Sequence, residues 1–204
     1  MGKRDMNRRQ MLSGVGATGG SLVLASTLGV GPTALAAAPV QVPRRTLGKT
    51  GEKIPILLMG GSMPLDLRFD PKLATGVRYG VNYFDTAASY TSGNSERAIG
   101  AFLSRAGIRN KVWITTKSSK HDPPALLASL EASFERLQTD HVEMFFLHSV
   151  RNPDVINDQL RVTVERLRKE KRISFFGFSC HQGNVAELLE LASKTPWIDT
   201  VMFR

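Results

Sequence analysis

The 204-residue sequence predicts an α/β fold built on a parallel sheet, holding about six of the eight strands of a (β/α)8 TIM barrel. Short apolar runs alternate with helical periodicity from about residue 45 onward. Runs such as Met144-Phe-Phe-Leu147 and Ile173-Ser-Phe-Phe176 are apolar on nearly every residue, the pattern of strands covered by helices on both faces. Asp85, Lys117 and His148 close three successive runs, in NYFDTA, VWITTK and EMFFLHS, at steps of 32 and 31 residues, the length of one strand plus one helix. Barrels and open α/β sheets both build their sites at the carboxyl ends of such strands.

Taken in order, Arg45–Pro55 carries two glycines in turn positions and predicts a hairpin that leads into a strand over Ile56–Gly61. A helix follows near Pro71–Tyr79, a strand over Asn82–Thr86, a helix near Ser95–Arg105 and a strand over Val112–Thr116. Asp122 and Pro123 supply an N-cap and a first-turn proline for a helix to Leu137, in which Leu126, Leu127, Leu130, Phe134 and Leu137 keep helical spacing. Then come a strand over Val142–Leu147, a helix from about Asp154 to Glu170, a strand over Ile173–Phe178, a helix near Val185–Ser193 and a strand over Thr200–Phe203. No turn chemistry follows that sixth strand, so the expectation is the first three quarters of a barrel.

Residues 1–38 read as an export signal, separate from a barrel domain over 39–204. A basic head is followed by an uncharged span from Gln10 to Pro43 that passes through the small residues Ala34-Leu35-Ala36-Ala37. Arg8 and Arg9, directly before that span, resemble a twin-arginine signal, which predicts the twin-arginine export machinery as a partner and a periplasmic or exported location in a bacterium. Many Gly, Ser and Thr residues make the span weakly hydrophobic, so cleavage is expected rather than a stable membrane anchor. Within it Gly14-Val15-Gly16-Ala17-Thr18-Gly19 fits the G-x-G-x-x-G pattern, but no strand precedes it and it carries no dinucleotide site.

Composition narrows the function classes. With 42% apolar and 22% charged residues the chain is globular rather than disordered. The formal charge of +9 owes much to Lys3, Arg4, Arg8 and Arg9 in the leader, and the densest later run, Arg166–Arg172, ends a helix where cations suit the dipole. No nucleic-acid interface is expected from this distribution. The single cysteine, Cys180, excludes an intrachain disulfide and is compatible with folding in a reducing compartment before export. The four histidines, at 121, 141, 148 and 181, lack partners at ligand spacing, so no metal site is expected.

Tyr90 stands five residues after Asp85 and completes a chemically coherent set. A phenol titrates near pH ~10 and becomes a useful acid when a cation favours its phenolate. Lys117 is placed to be that cation, Asp85 to hold Lys117 charged, and His148 to hydrogen-bond a substrate oxygen while Tyr90 moves a proton. Such a set stabilises charge on a carbonyl oxygen, and the hydride for reduction must come from a cofactor. Singly, Asp85 reads as a turn cap, Lys117 as a solvated lysine and His148 as a core histidine; their joint placement favours the site.

The segments RTLGKTGEKIP, GVNYFDTAASYTSGNSERAIG, VWITTK, MFFLHS and KRISFFGFS together resemble the aldo-keto reductase family, from about Arg44 to the end of the chain. The resemblance implies a (β/α)8 barrel of the aldo-keto reductase type, a tetrad of Asp85, Tyr90, Lys117 and His148 with Tyr90 as general acid/base, and a small carbonyl or alcohol substrate. It implies NADPH, or NADH, as cofactor, with Asp85, Ser179 and Cys180 along it. Ser179 matches a residue that contacts the nicotinamide carboxamide, and Cys180 stands where many members carry asparagine. Two other readings stay open: a truncated or regulatory nucleotide-binding barrel without activity, and a hydrolase whose nucleophile is Ser179 in Gly177-Phe178-Ser179-Cys180-His181.

Overall fold

The computed structural model describes residues 40–203; the leader, with its twin-arginine, cleavage and membrane-anchor expectations, lies outside the described residues. Strands β1 (Arg44–Thr46) and β2 (Lys53–Pro55) form an antiparallel hairpin, closed where Gly51 takes a φ of 76° that a side chain would resist. Eleven further elements follow: β3 (Met59–Gly60), α1 (Pro71–Arg78), β4 (Tyr83–Asp85), α2 (Asn94–Ala106), β5 (Trp113–Ser118), α3 (Pro123–Leu137), β6 (Val142–Leu147), α4 (Asp158–Lys169), β7 (Ile173–Cys180), α5 (Val185–Ser193) and β8 (Thr200–Phe203). Strands β3 to β8 pair in sequence order, all parallel, as an incomplete TIM barrel. Among the described residues no helix is long and apolar enough to cross a membrane.

Local chemistry sets the boundaries. Asp70 accepts from the Lys72 amide at 2.9 Å and Asp122 from the Ala125 amide at 3.2 Å, each ahead of a proline that opens the helix. The helix expected from Asp154 is a correction: Asn152 and Pro153 turn the chain through a short 3-10 segment, and the helix starts at Asp158 because Asn157 accepts from the Leu160 amide at 3.0 Å. The first strand is shorter than its apolar run. Ile56, Leu57 and Leu58 are 51%, 58% and 45% exposed, since among the described residues β3 lies at the sheet edge with β4 as its one neighbour. Strands β5 and β7 run two residues past their expected ends, to Ser118 and Cys180.

Alternation along the strands divides the interior. One set of side chains, including Phe84, Ile114, Phe145 and Phe176, packs against Leu103, Leu130, Val164 and Leu188 of the helices. A second set, Tyr83, Trp113, Met144 and Phe146, packs with Leu47 and Ile54 of the hairpin. Strands β7 and β8 approach so closely that a Cβ on Gly177 would stand 2.2 Å from the Thr200 carbonyl oxygen.

Candidate active site

Asp85 ends β4, and its register partner on β5 is Thr115, so Lys117 reaches the pair from one step beyond. Lys117 Nζ donates to Asp85 Oδ1 at 2.7 Å and to the Thr86 carbonyl at 2.8 Å, with both side chains buried. Burial pushes the Asp85 carboxyl up and the Lys117 ammonium down from their ordinary values, and each charge opposes the shift of the other. Asp85 Oδ2 is buried without a hydrogen-bond partner among the described residues.

Tyr90 is carried by the loop after β4. Ala88 N donates to the Lys117 carbonyl at 3.0 Å and Tyr90 N to the Ala87 carbonyl at 3.0 Å, which ties the loop to β5. Thr91 and Ser92 then adopt φ values of 47° and 55°, both left-handed, and α2 begins. This places Lys117 Nζ 5.0 Å from the centre of the Tyr90 ring, with the ring edge-on to His148 at 5.5 Å and 82°. Burial first, and the Asp85 charge second, push the Tyr90 phenol up. The ammonium lies over the ring face and is paired with the Asp85 carboxylate.

His148 follows β6, where its amide donates to the Ser118 carbonyl at 2.8 Å. Its Nδ1 stands 3.4 Å from Ser89 Oγ, and its carbonyl 3.1 Å from His121 Nε2. Burial, and then the charges of Lys117, His181 and His121, push the imidazole down to about 4, so it is neutral near pH ~7.

Ser179 is fully buried, and its Oγ accepts from the Ser149 amide at 2.8 Å, which leaves the hydroxyl hydrogen to donate elsewhere. Among the described residues no base is hydrogen-bonded to it as a hydrolase nucleophile requires. Cys180 departs from expectation. It is fully buried in the layer between sheet and helices with Phe178 and Leu188, because strand alternation turns it away from the Ser179 side. Burial pushes its thiol up. Among the described residues no group of three or more His, Cys, Asp or Glu is placed to hold a metal ion.

Sequence reasoning missed Ser89, His121, Ser95 and Glu96. The first two are ordinary loop residues in the sequence, and nothing in their spacing marks them. Glu96 reads as an acidic residue favouring a helix N-terminus, yet it is fully buried, accepting from Thr116 Oγ1 at 2.5 Å and from Arg136 Nε at 2.6 Å.

A model of the aldo/keto reductase family matches residues 66–203. The chain belongs to that family. It is 31% identical over 150 residues to aflatoxin B1 aldehyde reductase member 2 of Homo sapiens, covering 68% of this chain and 42% of that protein. To glyoxal reductase of Bacillus subtilis it is 31% identical over 131 residues, covering 62% of this chain and 46% of the relative. An aldo-keto reductase from Bacillus halodurans, solved in its holo form, superposes with a TM-score of 0.65 at 26% identity, covering 80% of this chain and 58% of that one. This aldo/keto reductase chain thus spans less than half the length of those curated relatives.

Proposed function

We propose that the protein reduces an aldehyde or ketone to an alcohol, or runs the reverse reaction, with NADPH or NADH and with Tyr90 as the general acid/base. The observation that carries this reading is the buried Asp85–Lys117 pair, its ammonium 5.0 Å from the centre of the Tyr90 ring, with His148 against the edge of the same ring. Family membership supports the oxidoreductase class. The residues present suit a nicotinamide. Ser179 has a hydroxyl hydrogen for a carboxamide oxygen, and the unpartnered Asp85 Oδ2 is an acceptor for a hydroxyl of the cofactor. When bound, the dihydronicotinamide supplies the hydride.

The chain supplies the proton and the field. Raised by burial, the Tyr90 phenol is protonated at neutral pH and donates to the carbonyl oxygen as charge builds there. Lys117, held by Asp85 and the Thr86 carbonyl, keeps a positive charge beside the phenolate left on Tyr90. Neutral His148 hydrogen-bonds the substrate oxygen without competing to protonate it. With NADPH and a small aromatic aldehyde, Tyr90→Phe is expected to slow single-turnover reduction by about 10²–10⁴-fold and to leave NADPH affinity unchanged. An unchanged rate would remove Tyr90 from this role.

A further inference from the structure

The first turn of α2 stands behind the ion pair and grips both strands that carry it. Ser95 and Glu96 are both fully buried. Ser95 Oγ shares a 2.7 Å hydrogen bond with Thr86, the residue after Asp85; Glu96 Oε1 accepts at 2.5 Å from Thr116, the residue before Lys117. The other Glu96 oxygen accepts from Arg136 Nε of α3 at 2.6 Å. Helix capping does not account for this, because the N-cap of α2 is Gly93 and the two side chains bond to neighbouring strands and helix instead of to their own first turn. The packing is close: a Cβ on Gly61 would stand 2.4 Å from Ser95 Oγ. A buried carboxylate is costly unless paired, and an apolar side chain would join α2 to β5 at lower cost. The same turn also anchors the strained segment Thr91-Ser92 that presents Tyr90.

We infer that Glu96 is a positioning residue for Lys117: with Ser95 it fixes the spacing of β4 and β5 at the ion pair, and its carboxylate gives the Lys117 ammonium a second negative neighbour. The charged and titratable groups around that ammonium are Asp85 from β4, Tyr90 from the following loop, His148 after β6, and Glu96 from α2 with Arg136 of α3 behind it. Burial drives Lys117 down, and Asp85 first and Glu96 after it oppose that shift.

The inference rests on reading Lys117 as the cation beside the proton donor, but its test needs no turnover. The Lys117 Cε resonance is followed by carbon NMR as pH rises. Glu96→Gln, which keeps an acceptor for Thr116 and removes the charge, is expected to lower the midpoint. Glu96→Asp is expected to return most of that shift. An unchanged midpoint in Glu96→Gln, or an equal fall in Glu96→Asp, would overturn the electrostatic part. Should Glu96→Gln fail to fold, Thr116→Val decides the positioning part. The amides of Thr86 and Ala88, which donate to the Thr115 and Lys117 carbonyls at 2.8 and 3.0 Å, would exchange faster, by about five- to tenfold, with the Phe176 amide unaffected. Unchanged exchange at both amides would overturn it. Absence of reductase activity in the wild-type protein, with the Lys117 midpoint still falling in Glu96→Gln, would instead count against the proposed function and leave this inference standing.

Discussion

The two ends of the parallel strands use left-handed backbone for different purposes. At the amino end, Gly80, Gly107, Gln138 and Lys171 have positive φ, and each stands just after one of the helices α1 to α4. There the conformation satisfies the last carbonyls of a helix and turns the chain into the next strand. At the carboxyl end, Thr91, Ser92 and Ser149 take φ values of 47°, 55° and 57° next to Tyr90 and His148, and no α-helix is being ended. Each such residue costs about 1–2 kcal/mol, most for a β-branched threonine. The interiors differ in the same sense. The amino end is filled by an aromatic cluster with the hairpin against it, whereas the carboxyl end buries an ion pair and a further carboxylate beneath the strained loops. One end holds the sheet together, and the other spends part of that stability on placing side chains.

Trp113 probes the amino end. It stacks on Phe175 at 5.5 Å and 12°, tilts against Tyr83 at 5.8 Å, and donates Nε1–H to Thr115 at 3.2 Å. Trp113→Ala is expected to cost about 3–5 kcal/mol in urea unfolding through cavity formation. The tyrosine and histidine resonances of Tyr90 and His148 should stay in place while the fold persists. If they moved as far as those of Tyr83, the division between a supporting end and a working end would fail.

Lys117 probes the carboxyl end. Lys117→Met strands a buried Asp85 carboxylate, one of whose oxygens already has no partner, and is expected to cost about 3 kcal/mol. The cost sits at the low end for broken buried pairs because Asp85, pushed up by burial, can take a proton. Asp85→Leu with Lys117→Met should return stability to within about 1 kcal/mol of wild type, since apolar replacements of buried pairs are often neutral. The pair would then be kept for chemistry alone. A double variant as unstable as the single one would show that the ion pair also supports the sheet.

Much of this contrast was legible in the sequence. Runs apolar on nearly every residue fit strands covered by helices, and Val142–Leu147 and Thr200–Phe203 form where their patterns place them. The spacing of Asp85, Lys117 and His148 works because each strand-helix step returns the chain to the same end of the sheet. Other features depend on neighbours that no local pattern reveals. Whether Glu96 faces solvent or Thr116 is settled by how α2 lies on the sheet, and whether Lys117 meets the hydroxyl or the ring of Tyr90 by the turn at Thr91 and Ser92. Cys180 shows the same limit. Adjacent to Ser179 in sequence, it faces the other layer because β7 runs on through both residues.

The smallest effect concerns protons at the carboxyl end. The folded His148 imidazole, pushed down to about 4 from 6.5, binds its proton only at a pH where the unfolded one already holds it. Its contribution is therefore fully present above pH 6.5, falls as the pH drops, and is exhausted near pH 4. Asp85 acts in the opposite sense: pushed up, it takes a proton in the folded state before the unfolded chain does, and so offsets part of the loss just above its ordinary value of 3.8. Subtracting the urea stability of His148→Gln from that of wild type at each pH isolates the imidazole. The difference should favour wild type above pH 6.5 and shrink steadily towards pH 4, modestly because the ring is only half-buried and partly screened by water. A difference that stays flat across that interval would mean that His148 titrates as it does in the unfolded chain. The ring would then be solvated, and the carboxyl end would be less sealed from water than its contacts with Tyr90 and Ser89 require.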